Sequence, residues 1–257
     1  MKGLFDVCGK TVVVSGGSSG IGAMMARGFL EHGAKVFIMA RRADALRVKA
    51  QELSAFGECI AIPADLSSVS EITKAVNKIQ AATPTIDVLI NNAGANWAEP
   101  LERFQEAGWD KVMDINIKSI FFTIQKMLPL LSDGKPEDPA RIINIASVNG
   151  LRNSGLPTYA YSASKSAVIH LTKHLSTELA TNNITVNAIA PGLFASNMTK
   201  QIVDDQEQVR SALDRIPMGR LGSPSDIAGT SLFLASKGSA WMTGQTVVLD
   251  GGMTAAP

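Results

Sequence analysis

Short apolar runs alternate with longer amphipathic stretches along almost the whole chain of 257 residues. The apolar runs are continuous rather than alternating, which predicts strands buried on both faces of a parallel sheet. They lie at 10–15, 34–40, 58–64, 86–91, 141–146, 184–190 and 245–249. Helical patterns lie near 20–32, 43–55, 68–82, 107–132, 158–182 and 224–236. The sequence therefore predicts the α/β class: a doubly wound, Rossmann-like, mostly parallel seven-stranded sheet with helices on both faces.

No linker rich in Pro, Gly and Ser divides the chain, and the polar stretch 132–140 is typical of a connection between a helix and a strand. Hydrophobic residues make up 46% and charged residues 18%, enough apolar material for one large core. We therefore predict one domain over residues 1–257.

Composition also limits the partners. The net charge is +1 without a basic cluster, which argues against nucleic-acid binding. No membrane-length apolar run and no signal-peptide pattern occur, so we expect a soluble, cytoplasmic protein with no membrane partner. Cys8 and Cys59 form no metal or redox spacing, and we predict no metal.

Glycines follow the first predicted strand, where a sheet of this kind binds its ligands. Gly16, Gly20 and Gly22 stand in SGGSSGIG (15–22) at the start of a predicted helix. Glycine allows close approach of the backbone, and the helix N-terminus offers N–H groups to a pyrophosphate. A tight strand-to-helix turn alone would also use glycine. The combined context predicts a nucleotide.

The second predicted strand ends at Ala40 and is followed by Arg41 and Arg42. An NAD site would place a carboxylate here for the ribose 2′-OH, whereas guanidinium groups favour a 2′-phosphate. The alternative is two solvated arginines that begin a helix. We predict NADP(H) as the cofactor.

Residues after the third and fourth predicted strands are further candidates for contacts with the cofactor. Asp65 follows the third strand and is placed to accept from the adenine amino group and also to cap the next helix, two compatible roles. The small residues of NNAG (91–94) follow the fourth strand, where backbone can approach the cofactor.

The chain has two tyrosines, Tyr159 and Tyr161. Lys165 lies four residues after Tyr161 and would share its helix face, whereas Tyr159 has no such partner. Ser147 follows the fifth strand and is placed to hold a carbonyl oxygen. We therefore predict Tyr161 as the acid that protonates an alkoxide formed by hydride transfer, with Tyr159 lining the pocket or packing.

The ordinary tyrosine pKa is about 10, and a nearby ammonium and an oxidised nicotinamide are expected to lower it. Asn116 is a polar residue in a buried helical pattern and is placed to anchor a water behind Lys165. Each residue has a plainer alternative. The alternatives are that Ser147 caps the strand end, that Lys165 is a surface charge and that Asn116 bends its helix.

Taken in order, these motifs resemble the short-chain dehydrogenase/reductase family over roughly residues 7–253. The series is SGGSSGIG, NNAG, Asn116, Ser147, YSASK at 161–165, PG at 191–192 and MTGQTVVLDGG at 242–252. The resemblance implies a catalytic tetrad of Asn116, Ser147, Tyr161 and Lys165, in which Lys165 also binds the nicotinamide ribose and Asn116 completes a proton relay.

Motifs and resemblance together place the cofactor contacts, with residues 191–196 clamping the nicotinamide carboxamide. The predicted contacts are Gly16, Ser18, Ser19, Gly20, Ile21, Gly22, Arg41, Arg42, Asp65, Leu66, Asn92, Ala93, Gly94, Tyr161, Lys165, Pro191, Gly192, Phe194 and Ser196.

Departures from the family pattern are small. Ser15 replaces a usual threonine but keeps its hydroxyl, and Ser119 replaces a frequent glycine. Related enoyl reductases place their tyrosine seven residues before the lysine, where this chain has Thr158, so C=O reduction is favoured over C=C reduction. Passages such as AFGECIAIPADLSS (55–68) and IPMGRLGSP (216–224) are most similar to the bacterial 3-oxoacyl-thioester reductases of the rhamnolipid type.

A substrate lid is predicted at 193–218, with a mobile helical cap at 204–215. The predicted walls are apolar and suit an acyl chain or an aryl ketone, although ordinary core packing explains each residue equally well. The predicted substrate-pocket residues are Trp97, Leu151, Leu156, Tyr159, Leu193, Met198 and Ile202.

The resemblance implies a homotetramer formed through the helix 158–182 and the C-terminal segment. The first hypothesis is an NADPH-dependent carbonyl reductase that acts on a small ketone or an acyl thioester. One alternative is an NAD-linked secondary-alcohol dehydrogenase, which Arg41 and Arg42 argue against. Another is a catalytically silent NADP-binding regulator, which the intact tetrad argues against.

Overall fold

The computed structural model describes residues 3–131, 134–153, 155–196, 199 and 205–255. Its strands form one sheet in the order β3-β2-β1-β4-β5-β6-β7, and all neighbours are parallel. The predicted α/β class, doubly wound topology and seven strands are confirmed, and the sheet is entirely parallel within the described residues. The strands are β1 Thr11–Ser15, β2 Lys35–Ala40, β3 Cys59–Pro63, β4 Val88–Asn91, β5 Ala140–Ile145, β6 Ile184–Pro191 and β7 Thr246–Leu249.

Helices cover both faces of the sheet. They are α1 Gly20–Glu31, α2 Ala43–Leu53, α3 Val69–Ala82, α4 Glu106–Met113, α5 Ser119–Met127, α6 Tyr159–Leu179, α7 Gln206–Leu213 and α8 Pro224–Ala235. Helix α7 lies within the predicted cap at 204–215. In the described part of the chain, no helix has the length and apolar character needed to cross a membrane.

Alternate strand residues are buried on opposite faces, which accounts for the continuous apolar runs. Val13, Phe37 and Leu89 pack in a core under α3, α5 and α6. Val12 and Val36 pack in a second core under α1, α2 and α8. Both faces of each central strand are therefore covered by helices, as the apolar runs predict.

One predicted helix is divided. The pattern at 107–132 predicts a continuous helix, but α4 and α5 are separated by a π-helix, Asp114–Lys118. A 3-10 turn, Leu128–Leu130, follows α5 and contains Pro129, which has no N–H to continue an α-helix. The π-helix surrounds Asn116, and π-helical turns are frequent at functional sites.

The strand order reverses between β1 and β4. The chain builds outwards from β1 to β3 and then crosses back to β4, so the segments after β1 and β4 diverge. This divergence opens a crevice at the carboxyl edge of the sheet. The predicted glycine loop and NNAG both lie at this edge.

Candidate active site

A cleft of about 920 Å³ opens at the carboxyl edge of the sheet, between the segments that follow β1 to β6. Every predicted cofactor contact lines this cleft, as do Ser147, Tyr161 and Lys165 of the predicted tetrad. Asn116 is fully buried next to it. The topology thus brings together in one site residues that lie far apart in the sequence.

The glycine loop packs tightly against the end of β4. Gly16 has a φ of 68°, and a Cβ there would lie 2.7 Å from Asn92 Nδ2. A Cβ on Gly22 would lie 2.4 Å from the Gly16 oxygen. Only glycine fits both positions. Helix α1 begins at Gly20 without a side-chain cap, so its first N–H groups remain available to a phosphate.

Ser15 and Asn92 join the glycine loop to the NNAG segment. The Ser15 hydroxyl oxygen accepts from the N–H groups of Asn92 at 2.9 Å and Ala93 at 3.0 Å. Asn92 Nδ2 donates in return to the carbonyl oxygens of Ser15 at 2.9 Å and Gly16 at 3.3 Å. The serine therefore supplies the hydroxyl that the family motif draws from threonine.

Arg41 and Arg42 are exposed and line the cleft where β2 ends. Asp65 lines it after β3 and accepts from the N–H and hydroxyl of Ser67 at 3.0 Å and 2.8 Å. Those hydrogen bonds, with a smaller Coulombic contribution from Arg41, lower the pKa of Asp65 although burial opposes the change. Ser68, not Asp65, caps α3, so the capping role predicted for Asp65 is wrong.

Tyr161, Lys165 and Ser147 form the reactive part of the cleft. Tyr161 and Ser147 share a side-chain hydrogen bond. Lys165 Nζ lies 5.6 Å from the centroid of the Tyr161 ring and donates to the Ile145 carbonyl oxygen at 2.7 Å. Lys165 is only 4% exposed, so it is not a surface charge.

The two tyrosines lie in different surroundings. Tyr161 lines the cleft. Tyr159 is 41% exposed and packs edge-on against Phe104, with 5.7 Å between the ring centroids. It therefore packs outside the cleft, which is one of the two roles predicted for it.

The protein's own groups move the pKa of Tyr161 in the direction opposite to the prediction. Burial raises the pKa of Tyr161, and the hydrogen bond with Ser147 opposes the change only in part. Burial also lowers the pKa of Lys165 to about 8. Burial thus disfavours both charged forms and outweighs the ammonium of Lys165, whereas the effect of an oxidised nicotinamide on the pKa of Tyr161 stays a prediction. A phenol with a raised pKa stays protonated at neutral pH, as a general acid must.

The π-helix positions the Asn116 side chain against the segment after β4. Asn116 Oδ1 accepts from the Ala95 N–H at 2.8 Å, and Nδ2 donates to the Ala95 oxygen at 2.9 Å. Nδ2 also donates to the Ser164 hydroxyl at 2.9 Å, which in turn donates to the Tyr161 carbonyl at 2.7 Å. Asn116 thus connects the wall of the cleft to the catalytic helix. A water behind Lys165 stays a prediction.

The predicted substrate residues lie elsewhere. Of those that the structure describes, none lines the cleft. Trp97 packs on Gly108, where a Cβ would lie 2.6 Å from its ring, and donates to Glu99 at 3.1 Å. Leu151 and Leu156 are exposed, and Leu193 lines a separate pocket of about 110 Å³. Met198 and Ile202 lie outside the described residues.

The cleft also contains side chains that the sequence argument missed. Lys111 from α4 and Asp114 and Ile115 from the π-helix line it, together with Asn96. Lys111 and Ile115 are four residues apart and share a helix face. That spacing was a usable signal, but only the fold shows that this face reaches the edge of the sheet.

A tyrosine hydrogen-bonded to a serine and lying beside a buried lysine, in a cleft at a strand-order reversal, defines a class of protein: an oxidoreductase that moves hydride to or from a carbonyl carbon. A family model described as "Enoyl-(Acyl carrier protein) reductase" matches residues 16–254. The chain belongs to the short-chain dehydrogenase/reductase family, and the prediction that it is an oxidoreductase is confirmed.

Known proteins similar to this chain include reductases of oxoacyl groups and dehydrogenases of sugar acids. The rhamnolipids biosynthesis 3-oxoacyl-[acyl-carrier-protein] reductase of Pseudomonas aeruginosa is 44% identical over 98% of this chain and 99% of its own length. The 2-dehydro-3-deoxy-D-gluconate 5-dehydrogenase of Dickeya dadantii is 38% identical over 98% of each chain. The solved Pseudomonas aeruginosa RhlG/NADP active-site complex is 44% identical, with a TM-score of 0.95, and covers 98% of this chain and 99% of that chain.

Proposed function

We propose that this protein reduces a ketone to a secondary alcohol with NADPH and that Tyr161 is the general acid. The observation that carries the proposal is the geometry of three side chains in the cleft: Tyr161 is hydrogen-bonded to Ser147 and lies beside the buried Lys165. A proton donor and a hydrogen-bond donor thus converge where a carbonyl oxygen would bind.

The residues of the cleft fit NADP(H). The volume of about 920 Å³ is large enough for a dinucleotide, and Gly16, Gly20 and Gly22 of the glycine loop line it. Arg41 and Arg42 are placed for a 2′-phosphate, and Asp65 for the adenine amino group. The solved RhlG complex contains NADP. When bound, NADPH supplies the hydride.

The chain's own residues supply the other parts of the reaction. Ser147 orients the ketone by hydrogen-bonding its oxygen, and Tyr161 donates its proton to that oxygen as negative charge develops on it. Lys165 provides positive charge that stabilises the resulting phenolate until a proton returns. Asn116 fixes the Ala95 backbone opposite the catalytic helix.

C=O reduction is a better match than C=C reduction, despite the description of the family model. The tyrosine position expected from enoyl reductases holds Thr158, which is 2% exposed and whose hydroxyl has no hydrogen-bond partner in the described residues. Tyr161, four residues before Lys165, is the reactive phenol in the cleft.

A 3-oxoacyl thioester is the substrate class that we favour. The 44% identical relative carries that substrate in its name. Exposed apolar side chains also lie close in the sequence to Ser147 and Tyr161. Leu151 follows Ser147, and Leu156 and Tyr159 precede Tyr161. They do not line the cleft, but their exposed surfaces can contact an acyl tail that extends out of it.

A sugar keto acid is the second candidate, because the 38% identical relative is named for a 2-dehydro-3-deoxy-D-gluconate. The two candidates differ in polarity and are readily distinguished. An acyl tail gains about 0.8 kcal/mol for each buried methylene, or roughly a fourfold rise in kcat/KM. A hydroxylated acid gains nothing from added methylenes.

The decisive experiment follows nicotinamide absorbance with purified protein. The substrates are 3-oxoacyl thioesters of increasing chain length, matched free ketones and a keto-gluconate, each with NADPH and separately with NADH. Rising kcat/KM along the thioester series with NADPH supports the proposal. Reduction of the keto-gluconate alone would replace the substrate class, and no reduction of any ketone would overturn the function.

We also propose a homotetramer. β7 is an edge strand of the described sheet, and Trp241 and Val248 expose apolar surface there. On the helical side, Trp109 of α4 and Phe121 of α5 are exposed. Such surfaces are typical of subunit contacts. Sedimentation at several concentrations tests this: a tetramer that Trp241→Glu splits supports the proposal, and a monomer overturns it.

A further inference from the structure

Three buried polar side chains form a continuous series of hydrogen bonds from β4 through β5 to α6. Asn91 Nδ2 donates to Asn144 Oδ1 at 2.9 Å, and Asn144 Nδ2 donates to the Thr172 hydroxyl oxygen at 3.0 Å. The Thr172 hydroxyl donates to the Val168 carbonyl at 2.8 Å. Asn91 is 2% exposed, and Asn144 and Thr172 are 0% exposed. We call Asn91, Asn144 and Thr172 the polar ladder.

The polar ladder lies between the two parts of the cleft. At one end, Asn91 is followed by Asn92, whose side chain holds the glycine loop. In the middle, Asn144 is followed by Ile145, whose carbonyl oxygen accepts from Lys165 Nζ at 2.7 Å. At the other end, Thr172 lies seven residues after Lys165, two turns along the same buried face of α6.

The hydrogen bonds of the polar ladder restrict the position of α6 along its axis more strongly than apolar packing does. The same face of α6 also buries Val168, Leu175 and Leu179, and such contacts tolerate small displacements of a helix along its axis. A hydrogen bond between an amide and a hydroxyl is directional, and one displaced in a dry interior leaves a buried donor unpaired. A buried network of directional hydrogen bonds therefore favours one arrangement of the elements it joins.

We propose that Thr172, through its hydrogen bond with Asn144, is a positioning residue that sets the axial register of α6 on β5. In that register Lys165 reaches the Ile145 oxygen and Tyr161 reaches the reacting carbonyl. The inference rests on the proposed function, because that function gives Tyr161 and Lys165 their roles. Thr172 itself lies outside the cleft and touches no reacting group.

The test removes the hydroxyl and keeps the shape of the side chain. Thr172→Val is nearly isosteric, and Thr172→Ser restores the hydroxyl. Thr123→Val is the matched control, because Thr123 is equally buried on α5 but its hydroxyl has no partner in the described structure. If Thr172→Val does not fold, Thr172→Ala and Thr172→Ser, which differ only by the hydroxyl, replace the comparison.

Two readouts separate positioning from general stability. Misplaced catalytic groups lower kcat steeply, so Thr172→Val is expected to reduce kcat about tenfold, with the KM for NADPH changed less than about twofold. The second readout is independent of turnover. The chain has two tyrosines, so in a Tyr159→Phe background the absorbance of tyrosinate follows Tyr161 alone. Because burial holds the pKa of Tyr161 high, a loosened α6 should bring that titration towards its ordinary range.

We expect Thr172→Ser and Thr123→Val to match the wild type in both readouts, with circular dichroism confirming the fold at each pH. The proposal is overturned if Thr172→Val matches Thr123→Val, or if Thr172→Ser loses as much kcat as Thr172→Val. If the wild type reduces no ketone, the proposed function fails, and the titration alone decides: a shift in Thr172→Val supports the ladder, and an unchanged titration overturns it.

Discussion

The ammonium nitrogen of Lys165 lies 2.7 Å from the carbonyl oxygen of Ile145, to which it donates a hydrogen bond inside the protein. Burial lowers the pKa of Lys165 to about 8. The positive charge of Lys165, which the proposed reaction needs, therefore lies in a buried position that disfavours it.

Lys165→Met should abolish turnover and stabilise the fold at neutral pH. Folding lowers the pKa of Lys165 from 10.5 to about 8, which costs the wild type about 3 kcal/mol of unfolding free energy at neutral pH. In the wild type, the unfolded state binds more protons than the folded state between these two values. Wild-type stability therefore rises with pH in that window, and the advantage of the variant shrinks there.

Urea unfolding at pH 7 and at pH 10 measures this difference. Lys173→Met is the control, since Lys173 is exposed on the same helix and should change neither activity nor stability. A variant at Lys165 that is less stable than the wild type at pH 7 would contradict the prediction.

Tyr161→Phe should lower kcat by about a thousandfold, the contribution of a positioned general acid. The fold and the affinity for NADPH should remain, because the glycine loop and the arginines are untouched. Fluorescence titration with NADPH and steady-state kinetics measure both quantities. Tyr159→Phe, outside the cleft, should retain turnover, and a Tyr161→Phe enzyme with normal turnover would refute the mechanism.

The pH dependence of reduction should reflect both buried groups. Because the pKa of Tyr161 is raised, the phenol stays protonated through neutral pH and does not limit kcat for reduction there. Lys165 loses its charge as the pH rises past about 8, so kcat should fall there, because the charge that stabilises the phenolate is lost, and the KM for NADPH should increase. A kcat that falls already below pH 7 would mean that another group is the acid.

Replacing both Arg41 and Arg42 with alanine should raise the KM for NADPH by about 10- to 100-fold and leave that for NADH nearly unchanged, because charge-assisted hydrogen bonds to a phosphate are lost. Arg47→Ala is the matched control: Arg47 is exposed on α2, pairs with Asp44 and does not line the cleft. Equal losses with both cofactors would show that the two arginines do not recognise the 2′-phosphate.

Asn116→Ala should destabilise the protein by several kcal/mol and reduce turnover. It leaves the partly buried N–H and C=O of Ala95 without their partner, at up to about 1–3 kcal/mol for each unpaired group, and it leaves a cavity at the fully buried position 116. Ser164→Ala should cost less, because Asn116 still binds Ala95. Thermal unfolding compares the two variants, and a larger loss from Ser164→Ala would contradict this account of the π-helix.

Much of the fold could be predicted because strand burial and strand-end chemistry are local in the sequence. The seven apolar runs predicted the seven strands, and the spacing of Tyr161 and Lys165 predicted a shared helix face. The division of the helix at 107–132 could not be predicted, because the turn around Asn116 is fixed by hydrogen bonds to Ala95 and Ser164, which lie far away in the sequence.

The sequence by itself determined which reagents are present and which cofactor they suit. Gly16, Arg41, Ser147, Tyr161 and Lys165 each follow or flank a recognisable strand or helix, so their residue types and spacing can be read from the sequence alone. Only the tertiary structure decided the pKa shifts of Tyr161 and Lys165 and which side chains line the cleft. Burial is a property of the whole packed chain, so it alone raised the pKa of Tyr161, and packing alone left Trp97, Leu151, Leu156, Tyr159 and Leu193 outside the cleft.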